Sequence, residues 1–239
     1  MTSKTLEVGV LVVDEAVQYT DIAPVDALAM IAPEYVALLG PAVTHLQSQA
    51  IPMNISYISE RNEELHPLTA GARIAITHSL ATAPPLDILF IPGPPPVFVN
   101  RPAVDAYIQS AVARGTTILS ICTGAFPVAA AGVLDGRTAT APLSILGMLR
   151  NAHPQVQWES ARRFEKSVGV DGKGEIWTSG CVANGIDLVC AFMRDRFPES
   201  RALIDLIIPF AGFPDRDVEY DEKEKAVETA FGGAGVPAQ

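Results

Sequence analysis

Cys122 sits in Ser-Ile-Cys-Thr-Gly-Ala at residues 120–125, after the apolar, β-rich run Thr116–Ile121 and before the alanine-rich segment Ala125–Leu134. A residue between a buried strand and the helix behind it lies at the carboxyl edge of the sheet, where open α/β folds place their sites. Unpaired N–H groups of the helix start and the positive end of its dipole favour thiolate over thiol there, and the thiolate is the nucleophile. Gly124 leaves room for the tight turn, the same sharp elbow that carries the serine of α/β hydrolases. On these residues alone a free cysteine is as readily a small buried hydrophobe. Cys181 and Cys190 read as packing residues, with Cys181, in a Ser-Gly-Cys turn, placed to approach the pocket. Three cysteines without a Cys-x-x-Cys spacing argue against a disulfide framework and against a zinc site.

The elements around this cysteine alternate between short strands and helices. Residues 6–13 form a nearly continuous apolar run, as suits a strand buried on both faces of a parallel sheet. Pro24 opens a helix over Val25–Ala32, and Tyr35–Leu39 reads as the next strand. Ile55–Ile58 and Arg73–Thr77 are further strand candidates, and Asp87–Pro92 is a buried strand that stops at Gly93-Pro94-Pro95-Pro96. A helix over Ala103–Arg114 ends at Gly115, a strand over Thr116–Ile121 runs into Cys122, and Ala125–Leu134 reads as a tightly packed helix. Ser144–Asn151 is expected to be helical. Val156–Glu159, Lys166–Val170 and Glu175–Thr178 are short strands, the last two joined by a hairpin turn at residues 171–174. Helices over Val182–Arg196 and Glu199–Ile208 follow, and the charged stretch beyond Pro214 reads as a peripheral tail. The pattern predicts one α/β domain over residues 1–239, with a core of about 6–210 and a doubly wound, mostly parallel sheet flanked by helices.

Composition narrows the function classes. The formal net charge is −10 and the pI about 4.8, so a phosphate backbone or an anionic membrane surface is repelled. No segment has signal-peptide character or the length of a membrane span, which points to a reduced, cytoplasmic protein. Trp158 and Trp177 read as core.

Four segments, in order, resemble the ThiJ/PfpI superfamily of class I glutamine-amidotransferase-like folds, and within it the isonitrile (isocyanide) hydratase-like branch. They are the first strand with Val17–Asp26, then Asp87–Gly93, then Thr117–Ala125 with Ala131–Ala139, and last Trp177–Asp187. The resemblance spans about residues 6–210 and implies a flavodoxin-like three-layer sandwich with a nucleophilic cysteine at the elbow, which falls on Cys122. It also implies an acid from the first strand-to-helix loop hydrogen-bonded to that sulfur. Asp21 is the match, and a shift of one residue puts Thr20 there instead. A protonated Asp21 could deliver a proton if burial raises its pKa; on the residues alone it is also a favoured helix N-terminal residue ahead of Pro24. Thr123 would bring a hydroxyl and a backbone N–H beside the sulfur, and the N–H groups of Thr123 and Gly124 would stabilise developing charge. A homodimer, a small-molecule substrate, and the absence of cofactor and metal are implied in the same way.

Two departures from the family pattern bear on the reaction. Many relatives carry Pro-Gly-Gly where this chain has Gly93-Pro94-Pro95, and proline offers no N–H for an oxyanion hole. Gly93 could then contribute only through a rearranged loop. Relatives commonly have histidine close to the cysteine where Ala141 stands, which makes Ala141, with Thr20 and Cys181, a substrate-pocket candidate by resemblance; none of His45, His66, His78 and His153 falls on a motif position, so a Cys–His pair is not expected. These losses count against amide hydrolysis and less against hydration, lyase, isomerase or cyclisation chemistry. The leading expectation is a cofactor-independent cysteine enzyme of isonitrile hydratase-like type acting on a small, fairly apolar electrophile. A redox or stress sensor with an oxidisable Cys122 and a scaffold without chemistry are the alternatives. The stretch 211–239 is too short and too acidic for an appended DNA-binding helix pair.

Overall fold

The computed structural model describes residues 4–13, 16–61, 63–95, 101–169 and 174–231. In chain order the first half comprises β1 (Leu6–Val12), α1 (Ala23–Ala29), α2 (Pro33–Leu38), β2 (Met53–Ser59), β3 (Leu65–Pro67), β4 (Arg73–Ala75), β5 (His78–Ser79) and β6 (Ile88–Ile91). The second half comprises α3 (Pro102–Ala113), β7 (Thr117–Ser120), α4 (Ala125–Ala130), β8 (Thr138–Ala139), α5 (Leu146–Ala152), β9 (Gln157–Trp158), β10 (Phe164–Ser167), β11 (Ile176–Ser179), α6 (Ala183–Arg196), α7 (Arg201–Phe210) and α8 (Glu222–Phe231).

Seven strands form the central sheet in the order β10-β11-β7-β6-β1-β2-β5. Every neighbouring pair is parallel except β10 with β11, so the sheet is the mostly parallel, doubly wound one that the alternation implies. The strands are continuous apolar runs because both faces are covered. Along β1, Val8 and Val10 belong to one hydrophobic cluster, with Leu28, Leu188 and Ile204 from α1, α6 and α7. Leu11 belongs to the other, with Ile108, Val128 and Leu149 from α3, α4 and α5. Ile88 and Phe90 likewise face the first cluster, and Leu89 and Ile91 the second. The period of two along a strand thus sorts side chains into two helical layers.

The chain winds outward from β1 in both directions, with β2 and β5 on one side and β6, β7 and β11 on the other. The switch of direction falls between β1 and β6. Crevices at such points, outside the carboxyl ends of the strands, are where open α/β sheets bind ligands.

Three expectations change. Tyr35–Leu39 is not a strand: Pro33 starts α2, only Val36 of the helix is buried, and β2 takes the place beside β1. A five-residue apolar run has no period long enough to separate helix from strand, and proline in the first turn with Glu34 after it decides for helix. The stretch beyond Pro214 is also not a loose tail at its start. Arg216 pairs with the buried Asp187 at 2.6 Å, and Tyr220 is only 6% exposed, its hydroxyl donating to Asn184 Oδ1 at 3.0 Å. Arg163 donates to the carbonyls of Asp217 and Glu219 and pairs with Glu224. The helix after Cys122 is shorter than its sequence suggests, ending at Ala130. Residues 171–173 of the expected hairpin turn, with Val170 before them, lie outside the described residues, although the antiparallel pairing of Lys166 with Trp177 on its flanks is present. Among the described residues no helix is long and apolar enough to cross a membrane.

Candidate active site

Four adjacent strands each deliver one residue to the same edge. Asp21 follows β1, Gly93 follows β6, Cys122 follows β7 and Cys181 follows β11, and these strands are neighbours in the order β1-β6-β7-β11. The elbow is tight for identifiable reasons. Ile121 N–H donates to Ile91 O at 3.0 Å, carrying β7 pairing one residue past the strand, and Gly124 N–H then donates back to Ile121 O at 2.9 Å. A side chain at Gly124 would overlap the Ile91 carbonyl, so only glycine lets the turn pack on β6. Cys122 itself has φ +56°, a left-handed backbone conformation that is costly for a residue with a Cβ. Such strain concentrates at functional sites.

Asp21 lies in a short 3-10 turn at Tyr19–Ile22 and is 1% exposed. The turn is tied to the β6 loop twice: Gln18 N–H donates to Gly93 O at 3.3 Å, and Gly93 N–H donates to Asp21 Oδ2 at 3.1 Å. Asp21 Oδ1 is buried without a nitrogen or oxygen partner, and the carboxyl hydrogen-bonds the Cys122 thiol. Burial, with the negative charge of Cys122 as the next cause, pushes the Asp21 carboxyl up to about 9, against the opposing pull of the Gly93 N–H. The group is therefore a neutral acid at neutral pH. Thr20 is exposed and its hydroxyl accepts from Gln18 Nε2 at 3.4 Å, so the register puts Asp21, not Thr20, against the sulfur.

Cys122 is half-buried and Cys181 exposed, and their thiols hydrogen-bond one another. The Cys181 hydrogen bond, then burial, push Cys122 well above an ordinary thiol, while N–H groups of Val182 and Thr123 pull it down. The Cys122 hydrogen bond pulls Cys181 below an ordinary thiol. The contact therefore makes Cys181 the more readily ionised sulfur of the two and Cys122 the one that holds its proton. This corrects the expectation that Cys122 alone is a depressed thiol. Cys122–Gly124 is a single 3-10 turn and α4 has six residues, too little helix to outweigh burial and a neighbouring thiolate.

The expected oxyanion donors are otherwise engaged. Gly93 N–H holds Asp21, Gly124 N–H closes the turn, and Thr123 N–H donates to Cys122. The Thr123 hydroxyl donates to Pro94 O at 2.6 Å, fastening the proline loop to the elbow. A side chain at Gly93 would overlap Thr123 and Asp21. Ala141 is fully buried in the cluster with Ala125, Leu143 and Leu146, a core position rather than a pocket wall. Pro96 lies outside the described residues. Trp177 is 3% and Trp158 8% exposed, both core as the sequence suggests.

Two contributors are not apparent in the sequence. Val182 supplies its N–H to Cys122, and a backbone group leaves no mark in residue type. Tyr220 returns from the far end of the chain to the Gly180–Asn184 turn, and the negative charge of Cys181 adds to burial in raising its phenol. A lone aromatic within the charged stretch Asp215–Lys225 was the available signal. Among the described residues no cluster of three or more His, Cys, Asp or Glu side chains could hold a metal ion.

The sequence pattern of the DJ-1/PfpI family matches residues 8–195, which includes all four strand ends of this site. The chain belongs to the DJ-1/PfpI family. Isonitrile hydratase of Pseudomonas putida is 26% identical over 161 residues, a match covering 65% of this chain and 66% of that enzyme. Among solved structures, oxidized DJ-1 of Toxoplasma gondii superposes with a TM-score of 0.64 at 14% identity, covering 88% of this chain and 100% of the other. A ThiJ/PfpI family protein from Pseudomonas syringae gives 0.63 at 16%, covering 96% and 87%. An AraC family transcriptional regulator from Pseudomonas putida gives 0.64 at 16%, covering 85% and 99%. These structural likenesses establish the flavodoxin-like α/β fold of the family.

Proposed function

We propose that this DJ-1/PfpI protein is a cofactor-independent, cysteine-dependent hydratase acting on small, fairly apolar electrophiles of the isonitrile type. The observation that carries the reading is the neutral carboxyl of Asp21, fixed by Gly93 N–H and hydrogen-bonded to Cys122. A carboxylic acid kept protonated beside a nucleophilic sulfur is a matched acid–nucleophile pair. The weak likeness to isonitrile hydratase supports the same reaction class.

The steps follow from the two groups. Cys122 passes its proton to Cys181 as its sulfur adds to the terminal carbon of R–N≡C, and Asp21 gives that carbon its proton. The product is a thioimidate, R–N=CH–S–Cys122, beside an Asp21 carboxylate. That carboxylate then takes a proton from water as the oxygen adds to the same carbon. Collapse of the tetrahedral adduct breaks the C–S bond, the Cys122 sulfur takes its proton back from Cys181, and R–N=CH–OH is released and tautomerises to the formamide. Substrate plus one water gives product, and both residues return to their starting states. The chemistry requires no oxyanion hole, which fits N–H donors already engaged by Asp21, the turn and the sulfur.

By resemblance the working unit is a homodimer, which sedimentation equilibrium would read directly. For the reaction, purified protein is incubated with a panel of alkyl and aryl isonitriles, and N-substituted formamide is followed by mass spectrometry. Formamide formation that disappears in Cys122→Ala supports the proposal. Absence of product with the whole panel, or an unchanged rate in Cys122→Ala, overturns it.

A further inference from the structure

The odd cysteine count and the absence of a Cys-x-x-Cys spacing give no reason to pair any two thiols. The fold supplies one. Strands β7 and β11 are parallel neighbours with Ser120 opposite Thr178. Cys122 lies two residues beyond the first and Cys181 three beyond the second, so adjacent strands release the two cysteines into adjacent turns. Their side chains meet, thiol to thiol, and Val182, the residue after Cys181, donates its N–H to the Cys122 sulfur. Cys181 is exposed and Cys122 half-buried, so a small polar oxidant reaches both. Cys190 is fully buried inside α6 and takes no part.

Two thiols in contact at a solvent-facing site have a chemistry that a single reactive cysteine lacks. We propose that Cys181 is the resolving thiol of Cys122, so that the pair reduces hydroperoxides and closes to an intramolecular disulfide. The Cys122 sulfur, its proton passing to Cys181, attacks the distal oxygen of ROOH. The O–O bond breaks, the alkoxide leaves and is protonated by Asp21, and Cys122 becomes a sulfenic acid. The Cys181 thiol then attacks that sulfur, the S–O bond breaks, and the departing hydroxide takes the Cys181 proton to form water. Two thiol sulfurs have given up two electrons to the peroxide, and the products are the disulfide, ROH and water. An external dithiol restores both thiols by exchange. Capture by Cys181 also intercepts the sulfenic acid before a second peroxide takes it to irreversible sulfinic acid.

The inference rests on the reading of Cys122 as the reactive thiol, and the test separates the two. Untreated protein and protein exposed to a small molar excess of hydrogen peroxide are alkylated, digested without reductant and mapped by mass spectrometry. A portion of each is assayed for isonitrile turnover. The expected result is a Cys122–Cys181 linked peptide in the treated wild type, with one peroxide consumed per disulfide. Turnover is lost on treatment and restored by dithiothreitol. In Cys181→Ser, peroxide converts Cys122 to sulfinic acid that dithiothreitol does not reverse. Wild-type protein that accumulates sulfinic Cys122 while Cys181 stays alkylatable overturns the resolving role, and leaves the nucleophile reading intact. A disulfide that forms in protein without any isonitrile turnover upholds the inference and overturns the hydratase reading instead. A link through Cys190, or between two chains, refutes the pairing.

Discussion

Replacing Asp21 by asparagine turns the neutral-acid assignment into a stability measurement. Asparagine keeps the shape of the carboxylic acid, can still accept the Gly93 N–H, and has no proton to lose. In the unfolded chain the carboxyl titrates at its ordinary 3.8, whereas burial holds it near 9 in the fold. Between those values the folded protein keeps a proton that the unfolded chain releases, so rising pH favours unfolding. The contribution of the protonated group is complete below 3.8 and is lost progressively as pH climbs towards 9. At about 1.4 kcal/mol per pH unit, the wild type should give up about 4 kcal/mol from this group between pH 5 and pH 8. Asp21→Asn gives up none of it. Carboxyls that pairing holds low, such as Asp205 and Asp215 beside Arg194, behave alike in both proteins and cancel in the difference. Urea denaturation at pH 5, 6.5 and 8 reads the effect. At roughly 3 kcal/mol per molar urea for a chain of this size, the midpoint of Asp21→Asn should gain more than about 1 M on the wild type across that range. A difference between the two proteins that stays flat with pH would mean that Asp21 is ionised in the fold, and the acid role would fall with it.

Three further perturbations probe the elbow and the thiol pair. Cys181→Ala removes the hydrogen bond that, ahead of burial, holds Cys122 above an ordinary thiol. The midpoint of the pH profile for iodoacetamide alkylation of Cys122 should fall by roughly one unit for a hydrogen bond of about 1.5 kcal/mol, and a midpoint that stays or rises refutes the thiol pairing. Gly124→Ala drives a methyl group into the Ile91 carbonyl and should cost about 2–3 kcal/mol in thermal or urea denaturation. Gly147→Ala, in the open α5 helix, should instead gain about 0.5–1 kcal/mol. Cys122→Gly should be more stable than Cys122→Ala by about 1 kcal/mol, because glycine adopts φ +56° without the Cβ clash; equal stabilities would show that the elbow is unstrained.

The alternation of apolar runs with helical segments was sufficient for the sheet, because strands buried on both faces have to be apolar throughout. The same reasoning misread Tyr35–Leu39, where five residues carry no period and the outcome lay with Pro33. Cys122 and Gly124 were legible as an elbow because a strand running straight into a small-residue turn leaves few other geometries. Asp21 was legible only through likeness to a family, since an aspartate ahead of a proline-led helix has an ordinary reading as well.

What the sequence determined by itself was therefore local and periodic: which segments are strands, where the chain turns sharply, and that a cysteine stands at such a turn. Tertiary structure decided everything that depends on strands meeting out of sequence order. The sheet order β1-β6-β7-β11 brings Asp21, Gly93, Cys122 and Cys181 to one edge. Burial there makes Asp21 an acid, and the contact with Cys181 makes Cys122 half of a pair. Gly93 and Gly124 commit their N–H groups to the Asp21 carboxyl and a turn, and Tyr220 folds back onto the Gly180–Asn184 turn. Desolvation and thiol–thiol contact are properties of a packed environment, and no residue carries them before the chain has folded around it.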